Sequence, residues 1–144
     1  MAFSILLVDD SLPMRGVLKK TFKAAGYSRA DFFEAADGIE ALDTLRENWI
    51  DIVITDYTMP GMNGLELLQT MKKEELLQDI PVVMVTTEGN RERVNQFYEN
   101  GAAGYIKKPF TPEQVRDLIV DILGESDDDD DDGNVDDSDE DLDF

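Results

Sequence analysis

The chain has 144 residues, 42% of them hydrophobic, which suits one soluble domain with a buried core. Net charge is −20, and residues 125–144 hold 13 of the 33 acids without a Lys or Arg, leaving −7 for residues 1–124. That balance excludes nucleic acid as the main partner, because phosphate recognition needs a cationic footprint. With no Cys and no His, disulfides, thiolate metal sites and an imidazole base of its own are excluded as well. The apolar runs fall far short of the roughly 20 residues that span a bilayer. The amino terminus has no basic region of the kind that opens a secretory signal, so a cytoplasmic location is expected.

Residues 3–8 form an apolar run that predicts a first strand, ending at Asp9 and Asp10. Met14, Val17, Leu18, Phe22 and Ala25 then recur at helical spacing, with Ser11 as cap, Pro13 in the first turn and Gly26 as the stop. Residues 31–35 predict a second strand, and Asp37 followed by Glu40 opens a helix through Ile39, Leu42 and Leu45. Residues 51–55 predict a third strand, again followed by an acid, Asp56. Asn63 and Glu66 cap a third helix through Leu65, Leu68 and Met71. Residues 80–85 are a continuous, β-branched-rich run, as expected of a strand buried on both faces. Val94, Phe97 and Tyr98 support a fourth helix that stops at Gly101, and residues 103–106 predict a fifth strand. Thr111-Pro112-Glu113-Gln114 combines a cap, Pro at the first position and a box partner, ahead of Val115, Leu118, Ile119, Ile122 and Leu123.

Five strand–helix units predict an α/β fold, a parallel sheet with helices on both faces. In such sheets the site lies beyond the carboxyl ends of the strands, where the strand order switches. Asp9, Asp10, Asp56, Thr86 and Lys108 all directly follow predicted strands, so three acids, a hydroxyl and an amine converge on one edge. Two carboxylates about 4 Å apart repel by roughly 4 kcal/mol at an effective dielectric near 20. The cluster persists when a cation fills it or one acid is protonated. Oxygen ligands without His or Cys suit Mg²⁺, with Mn²⁺ as the alternative.

Four ordered motifs carry a resemblance: Val8-Asp9-Asp10-Ser11, Asp56 through Gly64, Val85-Thr86-Thr87-Glu88, and Gly104-Tyr105-Ile106-Lys107-Lys108-Pro109-Phe110. Residues 1–124 resemble the receiver domain of bacterial response regulators, and most closely its single-domain chemotaxis branch. The resemblance implies a flavodoxin-like (CheY-like) sheet of order 2-1-3-4-5. It makes Asp56 the phosphoacceptor, with Mg²⁺ ligated by Asp10 and Asp56, by Asp9 largely through water, and by the Thr58 carbonyl. Lys108, across a cis bond to Pro109, pairs with the phosphoryl oxygens. Thr86 turns its hydroxyl onto them and Tyr105 swings inward behind it, while Thr58 and Glu88 tune dephosphorylation. Ser11 stands where the chemotaxis protein carries an aromatic residue.

The resemblance further implies a histidine kinase as phosphodonor, which supplies the imidazole this chain lacks. The output partner is a flagellar switch or other effector engaged through residues 89–124, with a phosphatase as a further partner. The chain then acts as a signalling switch that catalyses only its own phosphorylation and dephosphorylation. The alternative is a phosphorelay intermediate that passes phosphate on to a His-bearing protein. A haloacid dehalogenase-type hydrolase wants a second acid two residues after the nucleophile, where Thr58 stands. Residues 125–144 read as a disordered acidic extension. Val135, Asp136, Asp137, Leu142 and Phe144 resemble the docking terminus of a chemotaxis phosphatase, which predicts competition for the output face. Asp128, Asp130, Asp132, Gly133 and Asp139 fit a Ca²⁺-loop spacing, largely because Asp repeats.

Overall fold

Alternation along the central strands decides the layering. In the computed structural model, which describes residues 2–124, five strands form one parallel sheet. They are β1 (Ser4–Val8), β2 (Asp31–Ala35), β3 (Ile52–Asp56), β4 (Val82–Thr86) and β5 (Gly104–Lys107), in the order β2-β1-β3-β4-β5. Between and after them run α1 (Leu12–Phe22), α2 (Gly38–Glu47), α3 (Gly64–Lys72), α4 (Arg91–Glu99) and α5 (Pro112–Leu123). Leu6, Val8, Val53, Val82 and Met84 face one side of the sheet, where Leu42, Leu45, Leu67, Leu68 and Phe97 of α2, α3 and α4 cover them. Ile5, Leu7, Ile54, Val83 and Val85 face the other, under Leu18 and Phe22 of α1 and Val115 and Ile119 of α5. Both faces are buried, so these strands read as unbroken apolar runs rather than alternating ones.

Local chemistry sets the helix starts. Ser11 Oγ accepts from the Met14 N–H at 3.2 Å, and Asn63/Glu66 and Thr111/Gln114 form reciprocal capping boxes. The Asp37/Glu40 pair is shifted. Asp37 accepts from the Glu40 N–H at 2.9 Å, but the Glu40 carboxylate accepts from Ala36, one residue before the cap.

The structure corrects several expectations. Val17, Ile39 and Tyr98, which share the helical spacing, are 48%, 57% and 47% exposed. Each helical residue turns about 100° from the last, so an apolar residue beside the buried stripe faces water. α1 ends at Phe22 and widens into one π-helical turn, Lys23–Tyr27, in which Gly26 sits at φ 107°. β4 starts at Val82, because Pro81 has no N–H to give the ladder; its carbonyl accepts from Val53 instead. β3 and β5 likewise lie one residue later than expected. Among the described residues no helix is long and apolar enough to cross a membrane. The docking and Ca²⁺ readings of residues 125–144 lie outside the described residues.

Candidate functional site

β1 pairs with β2 on one side and β3 on the other, so the strand order switches between β1 and β3. Asp9 and Asp10 leave the end of β1 and Asp56 ends β3, on either side of that switch. One carboxylate oxygen from each lies within 4.8 Å of the others, with Asp9 buried, Asp56 half-buried and Asp10 exposed. Lys108 reaches in from the loop after β5. Its Nζ lies 3.5 Å from Asp56 Oδ1 and 4.0 Å from Asp9 Oδ2. The amine thus stands between two carboxylates.

The backbone holds this arrangement. The Lys108 N–H donates to the Thr86 carbonyl at 2.8 Å, Asp9 N–H to Ala35 at 3.1 Å and Tyr57 N–H to Val85 at 2.9 Å. The Lys108–Pro109 peptide is cis, as the resemblance implies. Asp9 Oδ1 accepts from the Ser11 N–H at 2.8 Å, which orients the carboxylate as α1 begins. Asp9 Oδ2 is buried and has no hydrogen bond. Burial pushes the Asp56 carboxyl above its ordinary value; Lys108 pulls the other way, and the negative charges of Asp9 and Asp10 add to the rise.

An orphaned buried carboxylate oxygen beside two more carboxylates is a site short of positive charge. Its donors are all oxygen, which fits a hard divalent cation such as Mg²⁺ rather than Zn²⁺.

The other expected residues lie around this centre. Thr86 is 3% exposed, and its Oγ1 accepts from the Glu88 N–H at 2.9 Å and donates to the Glu88 carbonyl at 3.3 Å. Tyr105 is half-buried, its ring edge-on to Tyr98 with centroids 6.4 Å apart. Thr58 is exposed, and Glu88 directs its carboxylate toward Arg93 at 3.6 Å.

Two contributors escaped the sequence reading. A Cβ on Gly64 would lie 2.5 Å from the Asp56 carbonyl, so only glycine lets α3 start against the end of β3. Arg93 stacks its guanidinium 4.4 Å over the Tyr57 ring, tying α4 to the residue after Asp56. Gly64 closes the motif that begins at Asp56, and its place just after the Asn63 cap is a usable signal; nothing in the sequence marks Arg93.

Residues 5–120 match the response regulator receiver domain. The chain belongs to that family. Receiver domains are signalling switches, and the family binds Mg²⁺ through an acidic Asp cluster of the kind that Asp9, Asp10 and Asp56 form here. This receiver is 42% identical over 121 residues to a chemotaxis protein CheY homolog of Campylobacter jejuni, spanning 83% of this chain and 92% of that one. It is 39% identical over 124 residues to chemotaxis protein CheY1 of Helicobacter pylori, spanning 85% and 98%. Among solved structures, chemotaxis protein CheY4 of Vibrio cholerae superposes with a TM-score of 0.77 at 32% identity, over 85% of this chain and 100% of that one.

Proposed function

We propose that this receiver is a phosphorylation-controlled switch of chemotaxis or motility signalling, and that Asp56 is its phosphoacceptor. The observation that carries the reading is the meeting of three carboxylates and one amine at the strand-order switch, with Asp9 Oδ2 left unsatisfied. Asp9, Asp10 and Asp56, with the Thr58 carbonyl, would hold Mg²⁺, which supplies charge neutralisation for the transferring phosphoryl group. Asp56 needs no activating base once ionised. A carboxylate oxygen attacks the phosphorus of a phosphohistidine on a partner kinase, the new P–O bond replaces the N–P bond, and the imidazole leaves with the electron pair. Lys108 would neutralise the phosphoryl oxygens as their charge shifts, a role its 3.5 Å approach to Asp56 Oδ1 supports.

Thr86 supplies the step from chemistry to surface. Its hydroxyl is held by the Glu88 backbone, and a phosphoryl group on Asp56 offers it a charged acceptor instead. Exchanging one for the other moves the loop that leads into α4 and frees Tyr105 to turn inward. That biases the surface of residues 89–124, through which a cytoplasmic effector such as a flagellar switch is engaged. Thr58 and Glu88, at the mouth of the site, set the access of water to the phosphoryl group. Residues 1–124 constitute the switch on this reading, and residues 125–144 an acidic extension. Incubation with acetyl phosphate and Mg²⁺ is expected to add the mass of one phosphoryl group. Asp56→Asn is expected to abolish the gain, and an undiminished gain in that variant overturns the assignment.

A further inference from the structure

Residues 12–30 carry five cations, Arg15, Lys19, Lys20, Lys23 and Arg29, and not one acid, in a chain of net charge −20. Residues 31–124 hold 18 acids against eight cations. Glu34 on β2 takes up Arg15 at 2.8 Å and Lys19 at 2.9 Å. Lys20 and Lys23 stay exposed on α1 and its π turn. Beside them Leu12 is 66% and Val17 48% exposed, and Gly16 has open space above it. The outward face of α1 therefore offers cations and apolar contacts together. A complementary partner is rich in carboxylates and carries a few apolar anchors.

Residues 125–144 have that chemistry: 13 acids, no cation, and Val135, Leu142 and Phe144. Their point of departure is also right. α5 packs against α1 and the π turn, with Arg116 Nη1 donating to the Ala25 carbonyl at 3.4 Å. Leu123, the last residue of α5, packs on the same core as Phe22 and Tyr27. The described residues thus end, at Gly124, by the Lys23 end of α1. Twenty residues reach at most about 66 Å when fully extended. The 12 residues from Leu12 to Lys23 cover about 18 Å at 1.5 Å each.

We propose that the face of α1 from Leu12 to Lys23 is a docking surface for the chain's own residues 125–144. The tether makes the encounter intramolecular, with an effective concentration on the order of millimolar, so weak multipoint attraction suffices. Two other surfaces are poorer hosts. The groove beside exposed Trp49 and Leu76 is rimmed by Asp51, Glu74, Glu75 and Asp79, and its Arg46 already pairs with Glu74 at 3.0 Å. Residues 89–124 carry five cations and five acids, which gives an acidic segment no net attraction.

The chain has no Cys, so a nitroxide on a Ser138→Cys variant of the full chain is a single, unambiguous label. Amide signals of residues 12–24 should broaden selectively. The broadening should vanish near about 1 M NaCl, where the Debye length is roughly 3 Å. It should fall several-fold when Lys20→Glu and Lys23→Glu are added, with the rest of the spectrum unchanged. Broadening that is absent, evenly spread, insensitive to salt, or centred on residues 89–124 or the Trp49 groove overturns the proposal. So does broadening in a mixture of labelled, isotope-free chains with unlabelled, ¹⁵N-enriched ones, since a second copy is then the occupant.

Discussion

Asp56 is a carboxylate held where burial and two neighbouring acids favour its protonated form, and only Lys108 opposes them. A raised acid binds its proton more tightly in the folded state than in the unfolded one. Without metal, the fold therefore loses stability as pH rises from the ordinary carboxylate value through the higher folded value, and keeps that loss above both. Asp56→Asn removes the charge but not the shape. It is expected to raise the melting temperature of the magnesium-free protein at neutral pH by about 4 °C, the response to about 1 kcal/mol in a domain of this size. It should also abolish the fall in stability that Asp56 contributes across that pH window, leaving a steeper rise from carboxylates such as Glu34 in calorimetry; an unchanged curve contradicts the strain at Asp56. Glu34 acts oppositely, since hydrogen bonds from Lys19 and Arg15 hold its carboxyl below the ordinary range. Its contribution is present above that range and is lost as pH falls through the lower folded value. At Lys108, replacement by Ala should leave magnesium binding in place but slow phosphoryl uptake, read as the rate of mass gain with acetyl phosphate. A drop in magnesium affinity without a change in rate contradicts the role given to the amine.

The elements turn these side chains into a site, and here close packing matters more than any single contact. Gly64 starts α3 directly beneath the end of β3. A methyl at that position must displace either the helix or Asp56, with an overpacking cost of about 2 kcal/mol. Gly64→Ala should therefore slow phosphorylation more than Asn63→Ala does. The latter removes only the α3 cap, worth about 1 kcal/mol. Equal rates in the two variants, measured under the same conditions, count against the positioning role.

The elements also show what the sequence alone made legible. Caps and strand ends were readable because each rests on local chemistry: Ser11, Asn63 and Thr111 cap within three residues of themselves, and Asp9, Asp56, Thr86 and Lys108 sit where apolar runs stop. Val17 and Ile39 misled because an apolar residue one position from the stripe still fits a helical period. The π turn after Phe22, the shift of Glu40 to Ala36, the Gly64 clearance and the Arg93–Tyr57 stack all depend on neighbours distant in the chain or on backbone geometry. Of these, only Gly64 left a local sign, its place just after the Asn63 cap.

At the scale of the whole molecule, four of the five strands send a residue to one edge of the sheet, and the fold bears the cost of gathering like charges there. A ligand that binds only the folded state returns stability by mass action, about 2.7 kcal/mol at a hundredfold excess over its dissociation constant. Magnesium should accordingly raise the melting temperature, and Asp9→Asn, which removes the charge behind the orphaned Oδ2, should erase most of that rise in thermal scans. The central claim is that these strand ends make one residue a phosphoacceptor. Its most direct test is peptide mapping of the acetyl phosphate-treated protein after the acyl phosphate is trapped by reduction. A magnesium-dependent label on Asp56 alone is expected; a label on any other residue, or one formed equally well without magnesium, contradicts that role.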